Sequence, residues 1–288
     1  MSLSSPRTVL QRLGLKADKA RGQHFLLYPH QARRIVTALE LTPQDLVVEI
    51  GPGLGALTVF LAEQAARVVA LEVDQTLAAY LQEEIFPGES RVEIICQDVL
   101  RFDFGQLARV ANSLLVVVGN LPYQITSPLL FKLAEDKAAL SRALLMMQQE
   151  VGARLTAVPG SKDYGILSVL LQYHFTITRL FSLGPANFYP PPQVNSVVVR
   201  LLPRRPDPAA RDEVFFTRVV KAAFATRRKT LKNTLAARAA TLGLASSEVL
   251  AALQTLNIDP GLRGETLSVS QFVALSNELL ARRGTGAG

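Results

Sequence analysis

"QDLVVEIGPGLGALTVFLAEQAARVVALEVD", residues 44–74, carries the architecture of the chain in miniature. Its first seven residues (44–50) read as a short apolar strand with an acid near its end. Three glycines follow, Gly51, Gly53 and Gly55, and then "GALTVFLAEQAA" (55–66) has helical character. "RVVALEVD" (67–74) is a second strand, again ending in acids. A strand, a glycine turn, a helix and a second strand make one parallel βαβ unit.

The alternation continues outward from this unit. "QTLAAYLQEEI" (75–85) reads as helix, "RVEIICQDVL" (91–100) as a third strand and "SLLVVVGN" (113–120) as a fourth. "SPLLFKLAED" (127–136) reads as helix and "SRALLMMQQEV" (141–151) as a fifth strand. Near-continuous apolar strands between helices predict a mostly parallel sheet covered on both faces. "SVLLQYHFTITRLFSL" (168–183) and "SVVVRLLP" (196–203) read as β-rich and are expected to close the sheet with an antiparallel pair. The proline-rich, charged "LPRRPDPAARDE" (202–213) has no periodicity and reads as a linker. Beyond it residues 213–241, 246–256 and 268–283 are helical in character. Two domains are expected, residues 1–203 as an α/β domain and residues 204–288 as a small all-helical domain.

Composition narrows the class. A chain of 288 residues with 49% hydrophobic side chains buries a real core. No run of about 20 apolar residues argues for a membrane span, and charges interrupt the start of the chain too often for a secretory signal. A cytoplasmic protein is expected. The single cysteine, Cys96, excludes an internal disulfide and a multi-cysteine zinc site; in "VEIICQD" it reads as a small core residue, and no metal site is expected. The net charge of +7 is unevenly placed. Residues 1–203 carry 18 basic and 17 acidic side chains, whereas residues 204–288 carry 13 and 7. A positive field confined to the last third suits a polyanion, with nucleic acid the leading candidate.

The glycine loop is spaced Gly-x-Gly-x-Gly, without the third position of the dinucleotide fingerprint. Such a loop alone also serves as a plain tight turn. Glu72, at the end of the second strand, stands 21 positions after Gly51, where a carboxylate accepts from a ribose. Asp98, at the end of the third strand, is placed to accept from an adenine amine. Ligands of parallel sheets bind at the carboxyl ends of the strands, so these signals together predict an adenosine-containing cofactor. The glycine spacing favours S-adenosylmethionine over a nicotinamide dinucleotide.

The fourth strand ends in "GNLPYQITSPLL" (119–130), on the same sheet edge. An exocyclic amine on an aromatic base is a poor nucleophile, because its lone pair is delocalised into the ring. Two acceptors, the Asn120 carboxamide oxygen and a main-chain carbonyl of Leu121 or Pro122, would take its two N–H bonds and turn the lone pair toward a methyl donor. Pro122 stiffens the loop, and Tyr123 would stack on the base, worth roughly 1–3 kcal/mol. The reaction needs no strong base, so the lack of an acid–base arrangement among His24, His30 and His174 is no objection.

At these residues the chain resembles the rRNA adenine-N6 dimethyltransferase family, and its bacterial small-subunit members most of all. The resemblance covers nearly the whole chain. It is carried by "RGQHFLLYPH" (21–30), "VEIGPGLGALT" (48–58), "LEVD" (71–74), "QDVL" (97–100), "GNLPYQITSPLL" (119–130), "ANFYPPPQVNSVVVRL" (186–201), "FATRRKTLKNTL" (224–235) and "RGETLSVSQF" (263–272). It implies a Rossmann-like class I methyltransferase sheet. It implies cofactor contacts from Gln23, His24 and Leu26, from Gly51 and Gly53 near the methionine part, from Glu72 and Asp98, and from Asn120, which also meets the substrate. It further implies that Phe188 stacks on the target base opposite Tyr123. The chain departs from the family at His24 and Leu27, where Asn is usual. The implied substrate is a pair of adjacent adenosines in the 3′-terminal hairpin loop of small-subunit rRNA, each dimethylated during ribosome assembly by a monomeric enzyme.

"FFTRVVKAAFATRRKTLKNTL" (215–235) reads as a helix with a basic stripe. Arg218, Lys221, Arg228 and Lys232 recur at helical offsets, flanked by Arg227 and Lys229, and are expected to track phosphates of the rRNA. Two rivals stay open: a large-subunit rRNA methyltransferase conferring antibiotic resistance, and an assembly factor that binds immature subunits without catalysis.

Overall fold

The structure, a computed structural model, describes residues 5–18, 22–226 and 228–283. Helix α1 (Pro6–Arg12) starts at Ser5, whose hydroxyl oxygen accepts from the Thr8 N–H. Strand β1 (Phe25–Leu26) and helix α2 (Pro29–Thr37) follow. The glycine-loop segment forms β2 (Leu46–Ile50), α3 (Thr58–Gln64), β3 (Arg67–Glu72) and α4 (Gln75–Tyr80), with one π-helical turn, Leu81–Ile85, prolonging α4. The Asp74 carboxylate accepts from the N–H groups of Thr76 and Leu77, a helix cap worth about 1 kcal/mol. Next come β4 (Val92–Cys96), α5 (Phe104–Ala111), β5 (Leu115–Asn120), α6 (Thr126–Glu135), β6 (Leu140–Gln148) and α7 (Gln149–Leu155). The chain continues as α8 (Ile166–His174), β7 (Phe175–Leu183), β8 (Phe188–Tyr189) and β9 (Ser196–Pro203).

Seven strands form one sheet in the order β4-β3-β2-β5-β6-β9-β7, and β1 pairs with β8 in a separate two-stranded ribbon. The pairs from β4 to β6 are parallel, and β6 meets β9 antiparallel. This is the expected sheet with its antiparallel closing strand. The strands β2, β3 and β5 are buried because helices cover the sheet; Val47, Val68 and Val116 join residues of α2 and α3 in one core cluster.

Three local readings change. The run 168–183, expected to be β-rich, divides into helix α8 and strand β7. The Gly165 N–H donates to Ser168 Oγ, whose hydroxyl donates to the Arg154 carbonyl, and this starts the helix. A helix buried all round shows a continuous apolar run, which is also the pattern of a buried strand. Cys96, expected in the core, is exposed, because β4 is an edge strand. The segment 213–241 is not one helix but α9 (Glu213–Ala223), α10 (Leu231–Ala236) and α11 (Ala239–Leu242), followed by α12 (Ser246–Thr255) and α13 (Val269–Arg283).

Two compact units result, residues 1–152 with 176–203, and residues 153–175 with 204–288. The expected boundary after 203 coincides with a unit edge, but residues 153–175 cluster with the helical part. Their packing explains this. The Tyr173 ring lies 4.5 Å from the Phe216 ring, and the Tyr173 hydroxyl accepts from the Ala210 N–H. The buried Tyr164 hydroxyl donates to the Leu267 carbonyl.

Candidate active site

The order of the sheet makes the site. From β2 the chain moves outward through β3 to β4, then returns to the other side of β2 as β5. The loops after β2 and β5 therefore part in opposite directions and leave a crevice at the switch point. Parallel register brings Ile50 level with Leu71 and Gly119, and Glu72 level with Cys96. A Cβ on Gly119 would lie 2.8 Å from the Ile50 carbonyl oxygen, so only glycine lets β5 end this close to β2.

A cavity of about 310 Å³ opens at this edge. Gln23, His24, Leu26, Gly51, Gly53, Glu72, Asp98 and Asn120 all line it. Gly53 has φ +58°, and a Cβ there would press on the Phe25 ring at 3.0 Å. The buried Glu72 carboxylate accepts from the Gly53 N–H at 3.1 Å, and from Val73 and Asp74 at 2.9 and 3.0 Å. These bonds tie the glycine loop to the end of β3. Burial raises the Glu72 pKa, and the three N–H groups oppose that rise. The Asp98 carboxylate accepts from the Leu100 N–H at 2.9 Å, which sets its direction at the end of β4.

Glu49 also lines the cavity and was not singled out from sequence. It is 2% exposed, and its Oε2 has no hydrogen-bond partner among the described residues. Burial pushes its pKa up to about 8; the Thr58 hydroxyl beside it, short of a well-formed hydrogen bond, opposes the rise, and the nearby Glu72 charge adds to it as a smaller cause. The signal was present: an acid inside the apolar run "LVVEI" just before a glycine loop.

The Asn120 Nδ2 donates to the His24 carbonyl at 2.8 Å. A carbonyl only accepts, so the amide nitrogen faces His24 and Oδ1 is the pole directed elsewhere. Leu121 is buried, and its N–H donates to the Met146 carbonyl. The Pro122 carbonyl already accepts from the Ile125 N–H at 3.2 Å and from Thr126 Oγ1 at 3.0 Å. Of the two carbonyls considered, that of Leu121 is the one with no donor among the described residues. The Tyr123 ring is partly exposed and lies 5.5 Å from the His24 ring. Its hydroxyl is buried beside Ser196 short of a well-formed hydrogen bond, and burial raises its pKa.

Phe188 is not open opposite Tyr123. It is 2% exposed and belongs to the core cluster with Leu26, its partner across the β1–β8 ribbon. The ribbon turns the ring inward, so no face is offered to a base in this conformation.

The basic residues of the second unit are spread over several elements. Arg218 and Lys221 are on α9, Arg228 and Lys229 are in the turn after it, and Lys232 is on α10. The Thr226 carbonyl accepts from the Lys229 N–H and closes that turn. The break removes the single stripe. All five are exposed, but the Arg218 guanidinium donates to the Thr241 carbonyl near the end of α11. Arg227 lies outside the described residues.

Comparison with known proteins gives one consistent result. The family described as ribosomal RNA adenine dimethylase matches residues 14–280. "Ribosomal RNA small subunit methyltransferase A" of Geobacter metallireducens is 45% identical over 273 residues, covering 94% of this chain and 98% of that protein. The protein of the same description from Myxococcus xanthus is 44% identical over 279 residues, 96% of each chain. Among solved structures, a dimethyladenosine transferase from Plasmodium falciparum superposes with a TM-score of 0.73 at 25% identity, covering 88% of this chain and 96% of that one. The 23S rRNA methyltransferase ErmE gives 0.65 at 25% identity, covering 88% and 99%. The sheet and its neighbours define a Rossmann-like class I methyltransferase fold.

Proposed function

The chain belongs to the ribosomal RNA adenine dimethylase family, and on that premise we propose that it dimethylates N6 of two adjacent adenosines in the 3′-terminal hairpin loop of small-subunit rRNA during ribosome assembly. It is an S-adenosylmethionine-dependent adenine-N6 dimethyltransferase acting on small-subunit rRNA. We further propose that it acts as a monomer in the cytoplasm.

The observation that carries the reading is Asn120. Its amide nitrogen is held by the His24 carbonyl at the wall of the cavity, and its oxygen is left to accept. The cavity suits the cofactor. Glu72 is a carboxylate for a ribose hydroxyl, Asp98 one for an adenine amine, and the unpartnered oxygen of Glu49 one for a cationic ammonium. The close backbone of Gly51 and Gly53 leaves room for the methionine part. When bound, the cofactor supplies an electrophilic methyl on a sulfonium.

The chain's own part is orientation. Asn120 Oδ1 and the Leu121 carbonyl accept hydrogen bonds from the two amine N–H groups, and Tyr123 stacks on the base. Delocalisation into the ring is thereby reduced, and the nitrogen lone pair is directed at the methyl. The nitrogen becomes acidic once alkylated and sheds its proton to a carbonyl or water. Phe188 completes a clamp only after leaving the core. Lys221, Arg228, Lys229 and Lys232 contact rRNA phosphates, whereas Arg218 serves the helical unit.

The test is mass mapping of rRNA from cells lacking the gene, with re-expression as control. Loss of the small-subunit dimethyladenosine pair is expected. An unchanged pair, or loss of a large-subunit adenine modification instead, overturns the assignment.

A further inference from the structure

The structure gives the His24 imidazole a definite place. The Nδ1 lies 2.7 Å from the Pro190 carbonyl oxygen. A carbonyl only accepts, so Nδ1 carries the proton and donates. The His24 carbonyl accepts from Asn120 Nδ2 at 2.8 Å, and the ring packs against Tyr123 at 5.5 Å. Around it the two segments are zipped together. Leu26 pairs with Phe188 and Phe25 with Tyr189, and the Leu27 N–H donates to the Asn187 carbonyl at 2.9 Å. On its other side Gly22 runs so close to the substrate loop that a Cβ would lie 3.3 Å from the Tyr123 nitrogen.

We propose that His24 is a positioning residue for methyl transfer: its side chain pins the loop 187–195 while its carbonyl orients the Asn120 amide, which joins the base-clamp loop to the catalytic asparagine and to Tyr123. This rests on the reading of Asn120 and Tyr123 given above. A role in binding cofactor alone would need no bond from the imidazole to Pro190. The pin acts on the reacting geometry, where small displacements of an oriented group are strongly felt in rate. Asparagine at this position places an amide nitrogen close to where Nδ1 sits. The same pin is therefore available to His24→Asn, but not to His24→Leu, which keeps bulk and loses the donor.

The experiment compares wild type, His24→Leu and His24→Asn as full-length proteins. Calorimetry measures S-adenosylmethionine affinity, labelled-methyl transfer to immature small subunits gives kcat and KM, and thermal melting checks folding. At saturating S-adenosylmethionine, His24→Leu is expected to lower kcat at least tenfold with the KM for small subunits little changed, and His24→Asn to recover most of kcat. Hydrogen exchange over residues 187–195 reads the pin without substrate. It should be faster in His24→Leu and restored in His24→Asn. A kcat restored in His24→Leu by saturating cofactor, an asparagine variant as slow as the leucine variant, or unchanged exchange overturns the proposal. A wild type that fails to methylate small subunits fails the functional reading instead, and exchange still decides the pin.

Discussion

Glu49 lines the cavity and Tyr123 follows Asn120 and Pro122 at its wall, and the two are proposed to serve binding and chemistry separately. Tyr123 is proposed to stack on the substrate base, and its contacts with the chain are with His24 and the neighbourhood of Ser196. Tyr123→Ala should keep cofactor affinity and lose about 1–3 kcal/mol of stacking, roughly a five- to 150-fold drop in transfer. Calorimetry beside single-turnover methylation checks this, and loss of cofactor with activity contradicts the separation. Glu49 behaves differently. Its pKa in the folded protein, about 8, stands above the ordinary 4.5. The folded state therefore holds a proton that the unfolded chain releases across that window. Stability falls as pH rises between those two values, by up to ~1.4 kcal/mol per pH unit. Cofactor-free Glu49→Gln should melt at a higher temperature than wild type at pH 8 and converge with it near pH 4.5. The same variant should bind S-adenosylmethionine more weakly, because a neutral amide replaces the carboxylate proposed to meet the ammonium.

Elements place these residues, and the places where elements touch are the sensitive ones. Gly119 ends β5 against the Ile50 carbonyl of β2. Gly119→Ala forces the strands apart just before Asn120, at a cost of about 1–3 kcal/mol. Denaturant unfolding should show that loss, and methyl transfer should fall by more than stability alone accounts for. The turn between α9 and α10 is where the exposed Arg228 and Lys229 lie. Replacing both with alanine should weaken binding to small-subunit RNA without changing cofactor affinity. The log–log salt dependence should become shallower by about 1.4, at about 0.7 per single-strand phosphate contact. An unchanged slope would show that the turn does not meet phosphate.

At the scale of the whole molecule, the helical unit owns a segment that precedes the end of the sheet in sequence. A chain ending at residue 203 keeps α8 but loses α9 and α13. Tyr173, buried in the full protein against Phe216, then loses its cover, and light scattering should show association that the full chain does not. Much of the remainder was legible beforehand. Alternating apolar runs, the glycine loop, acids at strand ends and Asn-Leu-Pro-Tyr after a valine strand are local patterns. They follow from backbone sterics, side-chain period and the chemistry of an amine acceptor, so the parallel sheet and the cofactor edge could be read directly. Other features depended on neighbours distant in sequence. The run around 168–174 is helix because its residues pack within the helical unit, and Cys96 is exposed because β4 has no outer partner. Phe188 is buried because β8 pairs with β1, and Arg218 is occupied because the Thr241 carbonyl is within reach. Periodicity and residue type are enough to say which chemical groups stand at the strand ends. Which of them are buried, paired or open could be known only from the folded chain, because exposure and hydrogen bonding belong to surroundings assembled from distant parts of it.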